Sequence, residues 1–176
     1  IRRKSLMVGQ QYNMATGAPL SCQKDGTPLN YTEEIEPYEK APQAAGARLN
    51  KYAWKTDDIW ERDNDWVLMR YAEILLMRAE ANFRLGFDGN ALLLVNQLRG
   101  RAQVAPLAAV TEEGLDKEWL HEFVFEGLRR TVNIRFGTYF QPWWNKDATP
   151  TYKGVFPIPQ SVLDKNPNLK QNPDYL

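Results

Sequence analysis

Apolar residues recur at three- and four-residue spacing through the second part of the chain and almost nowhere in the first. Leu68, Tyr71, Ala72, Leu75, Ala79 and Phe83 form one stripe, with Arg70, Glu73, Glu80 and Arg84 largely off it. That repeat is the mark of a helix with one buried face. Asp65 stands before Trp66 as an N-cap, so the helix is predicted to start there and to stop at Gly86. Glu80 precedes Arg84 by one turn, the favourable order for an ion pair. A second helix is predicted to begin by Asn90, with Leu94, Val95, Leu98 and Ala102 as its apolar face. So short a link predicts an antiparallel helix hairpin.

The third periodic stretch, EWLHEFVFEGLRRTVNIRFG from Glu118 to Gly137, is the one around which the chain is organised. Thr111 is predicted to cap the helix leading into it, with Glu112 and Glu113 in the first turn, where the helix dipole favours acids. Trp119, Leu120, Phe123 and Val124 share one helical face. Glu122 and Glu126 sit one turn apart, with Arg129 and Arg130 three and four positions after Glu126. Gly127 interrupts the pattern, which predicts two helices, or one bent helix, meeting in close packing there. Val132, Ile134 and Phe136 continue to Gly137, a C-terminal cap position.

From Ile1 to Asp65 turn signals are dense, at Thr16-Gly17, Asp25-Gly26-Thr27-Pro28 and Glu36-Pro37. Short strands are expected at Ser5 to Val8 and Leu49 to Trp54 within an otherwise loop-rich segment. After Thr138 prolines and aromatics dominate. Pro157, Pro159, Pro167 and Pro173 exclude a regular helix or central strand. FPIPQ followed by SVLDKNPNL predicts an extended segment, one short helical turn and a return, with Phe156, Ile158 and Leu163 packed and the C-terminus docked. The expected fold is mainly α: a helix hairpin plus further packed helices, long irregular loops and an extended proline-rich tail. Residues 1–65 form the loop-rich segment and 66–176 the helical region.

EFVFEGLRR…IRFG resembles the C-terminal signature of the SusD/RagB family of outer-membrane nutrient-binding lipoproteins. RYAEILLMRAEANFRLG from Arg70 to Gly86 and VFPIPQSVLDKNPNLKQNPDYL from Val155 to Leu176 agree with it in the same order. VGQQYN (Val8 to Asn13) and AGARLNKY (Ala45 to Tyr52) match more loosely. The chain departs from the family pattern at Asn133, where an aspartate is common, and at Leu128, where a polar or aromatic residue often stands. Either change reroutes an ion pair around Arg135. The resemblance implies a non-catalytic surface receptor that captures glycans or peptides and works with a SusC-like TonB-dependent transporter. It implies an outer-membrane location through an N-terminal lipid anchor outside this stretch. Members are longer than 176 residues, so the chain reads as a C-terminal portion starting at a cut or processing boundary. The hairpin also resembles one tetratricopeptide repeat. Such repeats bury their faces only by stacking, so the helices after Thr111 or a further part of the protein complete the stack.

Lys plus Arg and Asp plus Glu number 22 each, a balance that points away from nucleic acid. The longest apolar run, Ala91 to Val95, is far short of a membrane span. With one cysteine no internal disulfide forms. Leu20-Ser21-Cys22 follows a polar stretch, unlike a lipoprotein signal, so Cys22 reads as a loop or packing residue. Glu122 and Glu126 are the only carboxylates that invite a glycosidase scheme. Nearby arginines lower carboxylate pKa values and spoil a general acid, so these two read as structural. Within the family resemblance, Glu122, Glu126, Arg129 and Arg135 form a structural ion-pair signature. His121, the single histidine, lies on the exposed side with no companion ligand, and no phosphate loop, metal spacing or cofactor motif occurs.

Six tryptophans are generous for a soluble domain: the plain reading is a well-packed core, and the alternative is that some rings stack on a ligand. Trp143 and Trp144 are adjacent in the loop QPWWNKD, so one is expected to anchor the loop and the other to face outward. Flat rings flanked by the amides of Gln141 and Asn145 suit sugar recognition, by stacking and by hydrogen bonds to hydroxyls. Trp54 and Trp60 are weaker candidates of the same kind. The expected function is glycan capture. The alternatives are a peptide-binding receptor of the same family, a helical-repeat module for protein or peptide partners and, further back, a glycosidase.

Overall fold

The computed structural model describes residues 2–36, 38–52, 55 and 64–175. It divides into two compact units, Ile1–Val110 and Thr111–Leu176, a division that falls inside the 66–176 stretch.

In the first unit α1 (Tyr71–Arg84) and α2 (Asp88–Arg101) form the expected hairpin. Leu76, Ala79, Ala91 and Val95 are fully buried. Two alanines among these bulkier side chains let the helix axes approach closely. The turn is a Schellman motif: Phe87 N–H donates to Asn82 O at 2.8 Å and Gly86 N–H to Phe83 O at 3.0 Å. Beyond α2, both ends of the Asn96 amide bond the backbone of Leu107, and Arg99 Nε donates to Ala105 O at 2.7 Å.

The start of α1 differs from expectation. Arg70, not Asp65, is the N-cap, with an extended backbone, and Leu68 is 88% exposed. Burial begins at Ala72, so an earlier turn would gain no packing to offset the cost of forming it. Tyr71 is exposed as well, whereas Glu73 and Glu80 are buried, which makes the buried face wider than the apolar stripe. Arg84 Nε reaches Glu80 Oε1 at 3.0 Å, the expected pair.

Among the described residues, the N-terminal part holds two small antiparallel ladders. β1 (Leu6–Met7) pairs with β4 (Arg48–Leu49), and β2 (Gly9–Gln10) pairs with β3 (Asn30–Tyr31). β1 lies inside the expected Ser5–Val8 strand, and β4 takes only the first residue of Leu49–Trp54. Cys22 is buried and its thiol lies 3.8 Å from Pro28 O, as suits a packing cysteine.

The second unit opens with α3 (Glu112–Phe123), capped as expected by Thr111, whose hydroxyl accepts from Gly114 N–H at 3.0 Å. Leu115, Trp119 and Phe123 are buried, but Leu120 is exposed. α4 (Arg129–Arg135) follows after a turn containing Gly127 at φ 81°. The expected close packing at Gly127 is absent: a Cβ there would meet nothing within 4 Å. The glycine serves the left-handed backbone of the turn. Gly137, at φ 74°, ends α4 as expected.

The tail extends, makes one turn in α5 (Gln160–Leu163) and returns. The Gln171 amide closes the return. Its Nε2 donates to Ile158 O at 2.9 Å and its Oε1 accepts from Ile158 N–H at 2.8 Å. Asn172 Nδ2 donates to Phe156 O and Tyr175 Oη to Val155 O, both at 2.7 Å, which docks the C-terminus. Ile158 and Leu163 are half-buried, but Phe156 is 69% exposed. Its ring packs under the Arg130 guanidinium, 4.1 Å from the ring centroid, because that arginine also donates to Lys153 O beside it.

Candidate functional site

The loop after α4 is built from a 3-10 turn, Thr138–Phe140, and a tight reversal at Trp143–Lys146. Trp143 N–H donates to Lys146 O at 3.1 Å and Lys146 N–H to Trp143 O at 2.9 Å. Trp144 and Asn145 occupy the two central positions, and Asn145 takes the left-handed conformation at φ 56°, which asparagine tolerates. Both indoles are surface groups, Trp143 at 47% and Trp144 at 63% exposed. Neither ring anchors the loop in a core, contrary to the expectation for one of them.

The anchor is Lys146. Its ammonium donates to the carbonyls of Asp147 at 2.9 Å, Gln141 at 3.1 Å and Tyr139 at 3.2 Å. It also lies 4.4 Å from the Trp143 ring centroid. The Trp143 ring is not buried in so short a turn, and a cation on one of its faces holds it instead. Gln141 and Asn145 are exposed, and among the described residues their side-chain amides make no hydrogen bond. Trp143, Trp144 and Asn145 therefore share one turn and Gln141 lies just before it in the same loop, with two aromatic surfaces and two available amides. Lys146 went unnoticed in the sequence, although its place three residues after Trp143 closes the reversal. Trp54 and Trp60 lie outside the described residues.

Glu122 is 3% exposed within α3, and Glu126 is half-buried in the turn before α4. The helical spacing from Glu126 to Arg129 and Arg130 does not apply, because Glu126 is not on a helix. Arg129 forms a two-pronged bond with Asp116, 2.7 Å to Oδ1 and 2.8 Å to Oδ2. That partner was not singled out in the sequence. The Arg135 guanidinium lies over Trp119 at 5.1 Å. Asn133 is buried, and its Oδ1 accepts from Thr138 Oγ1 at 3.3 Å. An amide there bonds α4 to the turn that follows. His121 is exposed, as expected.

Among the described residues, two grooves lie in the first unit. One, of about 520 Å³, is lined by Tyr12, Met14, Tyr31 and Lys55 among others. The other, of about 430 Å³, runs beside α1 and α2 between Arg70, Tyr71, Leu75, Leu98 and Arg101.

The SusD family model matches residues 11–154. The starch-binding protein SusD of Bacteroides thetaiotaomicron is 40% identical over 123 residues, 64% of this chain and 22% of that protein. SusD-like protein P2 of Formosa agariphila is 28% identical over 167 residues, 86% of this chain and 32% of that protein. The chain thus spans between a fifth and a third of the curated relatives it matches. Among solved structures, a surface glycan-binding protein A from Bacteroides uniformis aligns with TM-score 0.52 and 31% identity, over 62% of this chain and 28% of that one. A SusD-like protein from Bacteroides fragilis aligns with TM-score 0.69 and 18% identity, over 97% of this chain and 37% of that one, which speaks for the fold alone. With the family model spanning most of the chain over this helical architecture, the chain belongs to the SusD family.

Proposed function

We propose that the chain is part of a surface receptor that binds oligosaccharide nutrients without cleaving them and passes them to a TonB-dependent outer-membrane transporter. The observation that carries this reading is the loop from Gln141 to Lys146, which carries two exposed indoles and two available amides. Aromatic faces accept the C–H faces of sugar rings, and amides bond hydroxyls without a net charge. Family membership supports the reading, as do the names of two relatives, one starch-binding and one glycan-binding. Glu122, Glu126, Arg129 and Arg135 in this reading hold the helices together and perform no chemistry. The outer-membrane location and the lipid anchor belong to the same proposal, by family.

The test is a tryptophan-fluorescence titration against a panel of glycans, maltoheptaose included, and short peptides, with mass spectrometry of the glycan afterwards. Saturable binding to an intact glycan, lost in Trp144→Ala, is the expected result. Cleaved product would overturn the non-catalytic reading. Binding of peptides alone would favour a second reading, a peptide-interaction module, for which the groove beside α1 and α2, flanked by Arg70 and Arg101, speaks.

A further inference from the structure

We infer that Lys146 is the positioning residue of the Trp143–Trp144 platform, and that its three N–H donors are all engaged inside the loop, leaving a surface suited to an uncharged glycan. The inference rests on the reading of this loop as a glycan contact. An ammonium has three N–H donors and no acceptor. Around Lys146 Nζ stand three carbonyls, those of Tyr139, Gln141 and Asp147, between 2.9 and 3.2 Å away. Each donor therefore has a partner within the loop. None is left to offer a carboxylate or sulfate on a ligand.

The placing of those carbonyls matters as much as their number. Tyr139 and Gln141 precede the reversal and Asp147 follows it, so one side chain ties both arms together. The reversal itself has a single pair of backbone hydrogen bonds, between Trp143 and Lys146. Beyond it the two arms share one more backbone bond, from Thr149 N–H to Phe140 O at 3.1 Å, and a hairpin of that size is marginal in water without further ties. The ammonium also rests 4.4 Å from the Trp143 ring centroid and 5.8 Å from that of Tyr139. One face of Trp143 is thereby occupied, and a sugar ring is left the opposite face. Aromatic contacts held in place before binding lose little freedom on binding, which is where a positioning residue acts on affinity.

The experiment compares the chain with Lys146→Met, Lys146→Gln and Trp144→Ala. Nitrogen relaxation of the indole N–H groups reads mobility without ligand, and titration with the tightest neutral glycan of the panel reads affinity. Removal of the ammonium is expected to mobilise both indoles and to weaken binding about tenfold, with the urea midpoint showing that the variants fold. Indoles as rigid in both variants as in the parent would overturn the positioning role. The parent's affinity is expected to stay level between about 0.05 and 0.5 M salt, because no ion pair with the ligand is there to be screened. A steep fall with salt, or a preference for sulfated or uronate glycans that disappears in Lys146→Met, would overturn the neutral-ligand assignment. Binding kept in Trp144→Ala would bring down the reading of the loop itself. Binding lost in Trp144→Ala but kept in Lys146→Met would bring down only the role of Lys146.

Discussion

Single residues here are held by partners distant in sequence. Arg129 and Asp116 are thirteen positions apart, and the arginine fork spans both carboxylate oxygens and the Asp116 carbonyl at 3.1 Å. The aspartate side chain is 14% exposed. Arg129→Met should cost about 2 kcal/mol by leaving that carboxylate unpaired, whereas Asp116→Asn together with Arg129→Met should recover part of the loss. Urea unfolding of the single and double variants checks both. The family motif singles out Arg129 but not Asp116 as its partner, because the angle between α3 and α4 decides the pairing. Asp25 shows the local case. Thr27 Oγ1 and N–H both donate to Asp25 Oδ1, at 2.7 and 3.0 Å, and hold its carboxyl below the usual aspartate range. A carboxyl more acidic when folded adds stability above its unfolded pKa and loses it as the pH falls through the folded value. The dependence therefore lies on the acid side. Thr27→Val should move the NMR titration midpoint of Asp25 upward, and a midpoint that stays put would contradict the assignment.

Secondary elements were read well where their signals are local. The stop at Gly86, the Thr111 cap and the division near Gly127 follow from glycine backbone freedom and side-chain capping within a few residues. Gly127→Ala should destabilise the second unit by about 1 to 2 kcal/mol through its φ of 81° alone, since the added methyl meets no atom. A larger loss on denaturation would mean that the site is packed after all. The tail offers a sharper test. Gln171 supplies both hydrogen bonds that a neighbouring strand would give Ile158. Gln171→Ala should speed hydrogen exchange at the Ile158 amide roughly fivefold, the equivalent of about 1 kcal/mol, while exchange in α1 and α2 stays unchanged. The start of α1 was misread because Trp66 and Leu68 extend the apolar stripe without extending the buried face.

Over the chain as a whole, 22 basic and 22 acidic residues balance, which leaves no net charge to steer a charged partner. A glycan supplied at about 100 times its Kd should raise the unfolding free energy by about 2.7 kcal/mol, and Trp144→Ala should abolish that shift in a thermal melt. What the sequence determined by itself is the set of features written within a few residues: helical period, caps, left-handed turns, the proline-guided path of the tail and the paired tryptophans. Only the tertiary structure decided that Asp116 takes Arg129, that Arg130 covers an exposed Phe156, and that Lys146 rather than a buried indole anchors the tryptophan turn. The physical reason is the same in each case. A helix or turn is specified by neighbours along the chain, whereas a charged group goes to whichever carbonyls, carboxylates and rings the packed elements bring within 3 to 5 Å, as for Arg130 and Lys146.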